Sequence, residues 1–308
     1  MIVVVGEALV DLTLATDGTL AAHLGGGPYN TARALGRLEV PVGYLGRLSA
    51  DAFGRRLRQA LIDDGVDVST ALSTEDPTTL ALAELDEKGH ASYRFYLDGT
   101  SVPGVEPAAA LDSLPLDVDA VHVGTLALVV EPFAAASEAI VHRLAGRSLV
   151  LVDPNVRPAI IGDRTAYRAR LDRVLAHADV VKVSDEDLAW LRPGEAPDVA
   201  GRAILASGAR VVFVTLGGAG ALVVTSHGTE AVPAPAVHVV DTIGAGDTFA
   251  AGILAWWHDH GHPHLADPSH AADAARFAIR VAAFTVQQAG AQPPRRRDLA
   301  PSHLQASS

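Results

Sequence analysis

The chain has 308 residues, of which 49% are hydrophobic, with 28 glycines, 18 prolines, no cysteine and a formal net charge of −12. This suits one large or two modest globular units, and it excludes disulfides, a thiolate nucleophile and cysteine-ligated zinc. The acidic balance argues against a general nucleic-acid partner, and the two lysines, Lys88 and Lys182, leave no Gly-x-x-x-x-Gly-Lys-Ser/Thr loop, so any nucleotide chemistry needs a different cradle. The longest apolar runs, such as 2–5 and 211–214, are too short for a membrane span, and Met1 leads straight into one of them without a basic flank or cleavage site. A soluble, cytoplasmic protein is expected.

Residues 2–5, Ile-Val-Val-Val, read as a buried central strand ending at Gly6. In the next stretch Ala8, Val10, Leu12 and Leu14 alternate with Leu9, Asp11 and Thr13, a period of two that puts Asp11 on the polar face of a second strand, either solvated or turned to a ligand. Gly25-Gly26-Gly27-Pro28-Tyr29-Asn30 follows, with Pro28 suited to a first helical position and Asn30 in the first turn. The glycines serve either as a connector or to let a ligand close to the backbone. A strand is expected over 42–48, then a helix opened by Asp51 with Phe53, Leu57, Leu61 and Ile62 on one face and Gly65 as its stop. Residues 79–85 and 91–97 form two strand-like runs around a turn at 86–90, an inserted hairpin that reads as a lid, an oligomer contact or an ordinary edge.

From residue 119 the rhythm is regular. Strands at 120–123, 148–152, 180–183 and 211–216 alternate with helices at 132–144, 165–177, 185–191 and 200–206, which predicts right-handed βαβ units and a mostly parallel sheet with helices on both faces. Ligands in such sheets gather at the carboxyl ends of strands. Those ends carry Asp153-Pro154-Asn155-Val156-Arg157, Lys182-Val183-Ser184-Asp185-Glu186-Asp187 and Thr215-Leu216-Gly217-Gly218-Ala219-Gly220. The last run precedes a strand at 221–225, which rules out a dinucleotide fingerprint and leaves a tight hairpin or a backbone surface under a nucleotide.

A β-like run at 236–240 leads into Asp241-Thr242-Ile243-Gly244-Ala245-Gly246-Asp247 and an apolar helix through Trp257. Small residues at a helix start leave free N–H groups open to an anion, and Asp247 stands beside them as a base or as a helix cap. Four histidines then alternate over 258–264, a metal tract or a solvent loop. A last helix is expected over 271–288, stopped by Gly290, with Arg295, Arg296 and Arg297 in a surface tail. No repeat or linker divides the chain, so residues 1–308 are expected to form one domain with lid strands at about 8–16 and 76–100.

The glycine-asparagine loop and the Asp241–Asp247 stretch, with the βαβ series between them, resemble the two signatures of the ribokinase-like (PfkB-type) carbohydrate kinases, and the resemblance spans nearly the whole chain. It implies a three-layer α/β/α fold with a mostly parallel sheet, a small β lid that mediates homodimerisation, and Mg²⁺·ATP as phosphoryl donor. Asp247 matches the catalytic base, and the backbone of Gly244, Ala245 and Gly246 the anion hole. Asp11, Gly26, Gly27 and Asn30 match sugar-binding positions. ATP is expected on Lys182, Ser184, Thr215, Gly217, Gly218, Gly220 and Gly246. Asp241, with carbonyls of Ile243, Thr285, Gln288 and Gly290, matches a potassium site of some members. Two departures stand out: the family's Asn-x-x-Glu, tied to magnesium, is here Ser184-Asp185-Glu186-Asp187, and Pro294 replaces a serine found near the cation in ribokinases proper.

The opening Gly6-Glu7-Ala8-Leu9-Val10-Asp11 and the 153–157 run are most similar to the fructokinase and 2-keto-3-deoxygluconate kinase branch. Fructose is the expected acceptor, ahead of 2-keto-3-deoxygluconate and ribose. Arg94 and Arg157 are candidates for reading a carboxylate or further hydroxyls, or are simply ion-paired. A non-catalytic sugar- or nucleotide-binding regulator is the competing class, and the intact Asp247 and glycine pair speak against it.

Overall fold

The structure, a computed structural model, describes residues 1–14, 17–85 and 91–299. In chain order the elements are β1 (Ile2–Val5), β2 (Leu9–Leu14), β3 (Leu20–Gly25), α1 (Gly27–Arg37), β4 (Val42–Leu45), β5 (Arg47–Ser49), α2 (Ala52–Asp63), β6 (Leu72–Thr74), β7 (Leu80–Leu85), β8 (Ala91–Tyr96) and α3 (Pro107–Asp112). They continue with β9 (Ala120–Gly124), α4 (Phe133–Leu144), β10 (Leu149–Asp153), α5 (Arg164–Leu175), β11 (Val180–Ser184), α6 (Asp185–Leu191), α7 (Pro197–Leu205), β12 (Val211–Thr215), β13 (Ala221–Thr225), β14 (Gly228–Val232), α8 (Ala245–Asp259) and α9 (Pro268–Thr285).

Eight strands form one sheet in the order β14-β13-β12-β11-β10-β9-β1-β4, parallel except for β13 and β14 at one edge. The central strands are runs of valine, leucine and isoleucine because both faces are covered. One face buries Val4, Leu151 and Phe213 under α1, α8 and α9; the other buries Val5, Val152 and Val214 under α4, α5 and α7. This is the three-layer α/β/α arrangement. Helix α8 is apolar nearly all round since it packs against both α1 and α9 over the sheet.

A second sheet, in the order β3-β2-β7-β8, forms the lid, with β2 parallel to β7 and the other pairs antiparallel. Strand β3 was not expected, because Leu-Ala-Ala-His-Leu-Gly contains no β-branched residue; pairing with β2 decides it. Residues 15–16 and 86–90 of the expected lid lie outside the described residues. The strand expected at 42–48 is divided, since β4 pairs with β1 while β5 turns away to pair with β6.

The β-like run at 236–240 is not a strand. Pro233 and Pro235 precede it, Val239 and Val240 stand half exposed, and the N–H groups of Val240 and Asp241 donate to the Val286 carbonyl at 2.8 and 3.2 Å, pinning the segment to the end of α9. The arginine tail is also anchored: Arg296 donates to the Leu38 carbonyl at 2.7 Å and pairs with Asp259.

Candidate active site

The carboxyl ends of β9–β12, the inner face of the lid and the 236–240 segment enclose a cleft of about 1330 Å³. It is the place the switch of connections in a doubly wound sheet provides for a ligand.

At its centre, α8 begins at Ala245 behind Gly244, whose φ of 79° is left-handed and suits glycine. The Ala245 N–H, expected in the anion hole, donates to the Thr242 carbonyl at 3.2 Å. Among the described residues no protein group accepts from the N–H groups of Gly244, Gly246 and Asp247, so those are the donors left for an anion. Lys182 lies beneath them. A methyl group on Gly246 would lie 2.8 Å from its ammonium, which therefore needs glycine above it. Lys182 pairs with Asp153 at 2.9 Å, both buried. Burial alone would lower the Lys182 pKa, but Asp153, Asp187 and Asp247 raise it, so the charge is retained.

Asp247 is 9% exposed. Burial raises its pKa, opposed by the Asn30 hydrogen bond and by Lys182 and Arg157. Asn30 Nδ2 donates to Asp247 Oδ2 at 2.9 Å, and the Thr31 hydroxyl donates to the Asp247 carbonyl at 3.2 Å, tying the first turn of α1 to the first turn of α8. The buried Asn30 Oδ1 has no protein partner. Buried amide oxygens are rarely left so, which marks a ligand-facing acceptor.

The other expected sugar residues converge here. Asp11 projects from the inner face of β2 into the cleft, and burial pushes its pKa up to about 6, with Arg157 acting against the rise. Gly26, Gly27 and Arg157 line the same end. Arg157 donates to the carbonyls of Asn155 and Val156 at 3.3 and 3.2 Å. Arg94 does not join them: it lies opposite Leu82 on the outer face of the lid, exposed, while Phe95 faces the cleft.

Three residues without an assigned role in the sequence also belong to this end. Glu7 Oε1 accepts from Gly27 N at 3.1 Å and Oε2 from Leu126 N at 3.2 Å, and burial raises its pKa to about 8. Asn155 Nδ2 donates to Thr125 Oγ1 at 3.1 Å. A charged residue directly after a buried strand was a legible signal for Glu7; nothing local marks Thr125.

Lys182, Ser184, Thr215, Gly217, Gly218 and Gly220 line the other end, with Val237, Val239 and Val286 supplying apolar walls. Asp187 sits in a capping box with Ser184 and also accepts from Val156 N at 2.7 Å, so it joins the ends of β10 and β11. Among the described residues no three His, Asp or Glu side chains converge as a metal site. Several of the donors expected for potassium carry protein hydrogen bonds in this structure. Asp241 receives N–H groups from Ile243 at 3.0 Å and Gly290 at 2.8 Å, the Thr285 carbonyl accepts from Gln288 N, and neither Thr285 nor Gln288 lines the cleft. In the histidine tract, His260 stacks on Trp256 and His262 on Trp257, with ring centres 4.3 and 4.0 Å apart.

Residues 1–297 match the pfkB family carbohydrate kinases. A fructokinase of Rhizobium leguminosarum bv. trifolii is 40% identical over 260 residues, covering 83% of this chain and 79% of the relative. Among solved structures, the fructokinase of Xylella fastidiosa with bound ATP superposes with a TM-score of 0.88 at 27% identity, covering 98% of both chains. The fructokinase of Vibrio cholerae O395 in a form bound to fructose, ADP and calcium ion has a TM-score of 0.83 at 28% identity over 94% of both chains. The family match runs along nearly the full chain, which belongs to the pfkB family of carbohydrate kinases.

Proposed function

We propose that this carbohydrate kinase is an ATP-dependent fructokinase. The observation that carries the reading is the split in roles of the Asp247 carboxylate: Asn30 holds Oδ2, leaving Oδ1 to face the Gly27 floor beside the free amides of Gly246 and Asp247. A primary hydroxyl of fructose placed on Oδ1, held by Asp11, Asn30 and the Gly26-Gly27 backbone, gives its proton to Asp247 as its oxygen bonds to the γ-phosphorus. The bond from that phosphorus to the β,γ-bridging oxygen breaks and ADP departs. The free amides and Lys182 face the charge on the transferring phosphoryl oxygens. A helix terminus alone contributes up to about 2 kcal/mol, whereas pre-aimed donors in a closed site contribute about 3–4 kcal/mol each, so lid closure matters.

Asp153 is paired with Lys182, Asp187 accepts from the N–H groups of Val156 and Ser184, and among the described residues no three carboxylate or histidine side chains gather as a cage, so magnesium would come in on the nucleotide's phosphates. It would neutralise β- and γ-phosphate charge. The whole chain then acts as one unit, with the lid over the sugar and, on its outer face, the contact for a homodimer.

The test is ADP release with ATP and fructose, 2-keto-3-deoxygluconate, ribose or adenosine as acceptor. Fructose is expected to give the highest kcat/KM, and Asp247→Asn to lower its kcat by about 10²–10⁴-fold with little change in fructose KM. A better acceptor than fructose would overturn the substrate, and full turnover by the variant would overturn the base.

A further inference from the structure

Resting on the fructokinase reading, we infer that the Thr125 hydroxyl, oriented by the Asn155 amide, hydrogen-bonds the sugar next to its reacting hydroxyl and so sets sugar affinity. A methyl group built on Gly27 would lie 2.9 Å from Thr125 Oγ1, 3.0 Å from Asn155 Nδ2 and 3.2 Å from Asp247 Oδ1. The three polar atoms therefore ring one point on the cleft floor. A sugar oxygen seated on Asp247 Oδ1 over that point has its neighbour within reach of Thr125. Asn155 Nδ2 donates to Thr125 Oγ1 at 3.1 Å, which occupies an acceptor position of the hydroxyl and leaves its proton to be donated elsewhere.

The backbone supports a functional placement. Thr125 has φ 54° and Asn155 φ 39°. Left-handed torsions are costly for a β-branched residue and persist where the surroundings over-determine them. Here the surroundings are explicit. The Glu7 carboxylate bonds Leu126 N, immediately after Thr125, and Gly27 N, locking the Thr125 turn to the glycine floor. Glycine or asparagine would fit the Thr125 backbone with less strain, so what this position gains from threonine is its side chain. Thr125 is 6% exposed and lines the cleft, so its hydroxyl proton is left for whatever fills that space.

The experiment measures fructose and ATP KM and kcat by ADP release for the full-length enzyme and for Thr125→Val, Thr125→Ser and Asn155→Gly, the last chosen because glycine accepts the torsion at 155. Thr125→Val is expected to raise fructose KM by about tenfold, a lost buried hydrogen bond, while ATP KM stays within about twofold. Thr125→Ser, which keeps the hydroxyl, is expected to restore fructose KM to within about threefold of wild type, and Asn155→Gly to shift it in the same direction as Thr125→Val. The double variant is expected to be no worse than Thr125→Val alone, since one residue acts through the other. Wild-type fructose KM in Thr125→Val, or equal damage from Val and Ser, overturns the inference while leaving the fructokinase reading intact. Absence of fructose turnover by the wild type overturns that reading first, and the inference with it. If Thr125→Val does not fold, Asn155→Gly decides: an unchanged fructose KM overturns the inference.

Discussion

If Asp11 holds the sugar as proposed, its burial makes that hold sensitive to pH. A carboxylate accepts hydroxyl protons well only when ionised, and burial raises the Asp11 pKa from 3.8 to about 6. The sign follows: above about pH 6 the group is charged and grips the sugar, and as pH falls through that value it gains a proton and lets go. Fructose KM is therefore expected to rise as pH drops from about 7 to 5, with ATP KM flat, while protonation of Asp247 acts separately on kcat. In Asp11→Asn the KM should start high and lose this acid limb. A steep limb surviving in that variant, measured by kcat/KM for fructose across the same pH range, would assign it to another group.

At the level of elements, the junction of the 241–244 loop with α8 carries the chemistry in the proposed mechanism, and Gly244 is its turning point. Its φ of 79° disfavours any other residue, and a methyl group there would lie 2.7 Å from Ala291 Cβ. Gly244→Ala must therefore turn the first amides of α8 away from the cradle or push the 289–292 loop outward. The expected result is a loss of about 10²–10³-fold in kcat, the scale of one lost oxyanion donor, with only a small fall in Tm. Near-normal turnover would show that the amides of Gly246 and Asp247 do not bear on the transferring group. This junction was legible in the sequence because glycine spacing and a following apolar helix have local causes. So were the βαβ alternation and the α2 cap, where Asp51 accepts from Gly54 N at 2.7 Å. Less was legible where the cause is tertiary. Asn30 and Asp247 meet although they lie 217 positions apart in sequence, Ala245 spends its N–H on Thr242, and Arg94 faces outward because the register with β7 sets its side. The valines at 236–240 have strand propensity but no strand to pair with, and Val237 and Val239 wall the cleft instead.

For the whole molecule, the lid's two faces have opposite characters, and that bears on assembly. Leu9, Asp11, Thr13 and Phe95 look into the cleft, whereas Leu12, Leu14, Leu20, Leu82 and Tyr96 share the outer face, with Leu14, Leu20 and Tyr96 36%, 59% and 48% exposed. The exposed leucines and Tyr96 beside Arg94 form an apolar patch on this face, which a second copy meeting it about a two-fold axis would cover in the proposed dimer. Light scattering on the eluting protein should then give about twice the chain mass of 31.9 kDa, and the Leu14→Glu/Leu20→Glu variant should run as a monomer. Since β2 carries Leu12 and Leu14 on one face and Asp11 on the other, loosening the outer face would free the strand that holds the sugar in the proposed mechanism. Monomerisation should therefore raise fructose KM, leave ATP KM nearly unchanged and lower kcat less than Asp247→Asn does. A wild type that remains monomeric at concentrations of tens of micromolar, or a charged variant that stays dimeric, would place the assembly contact elsewhere or remove it.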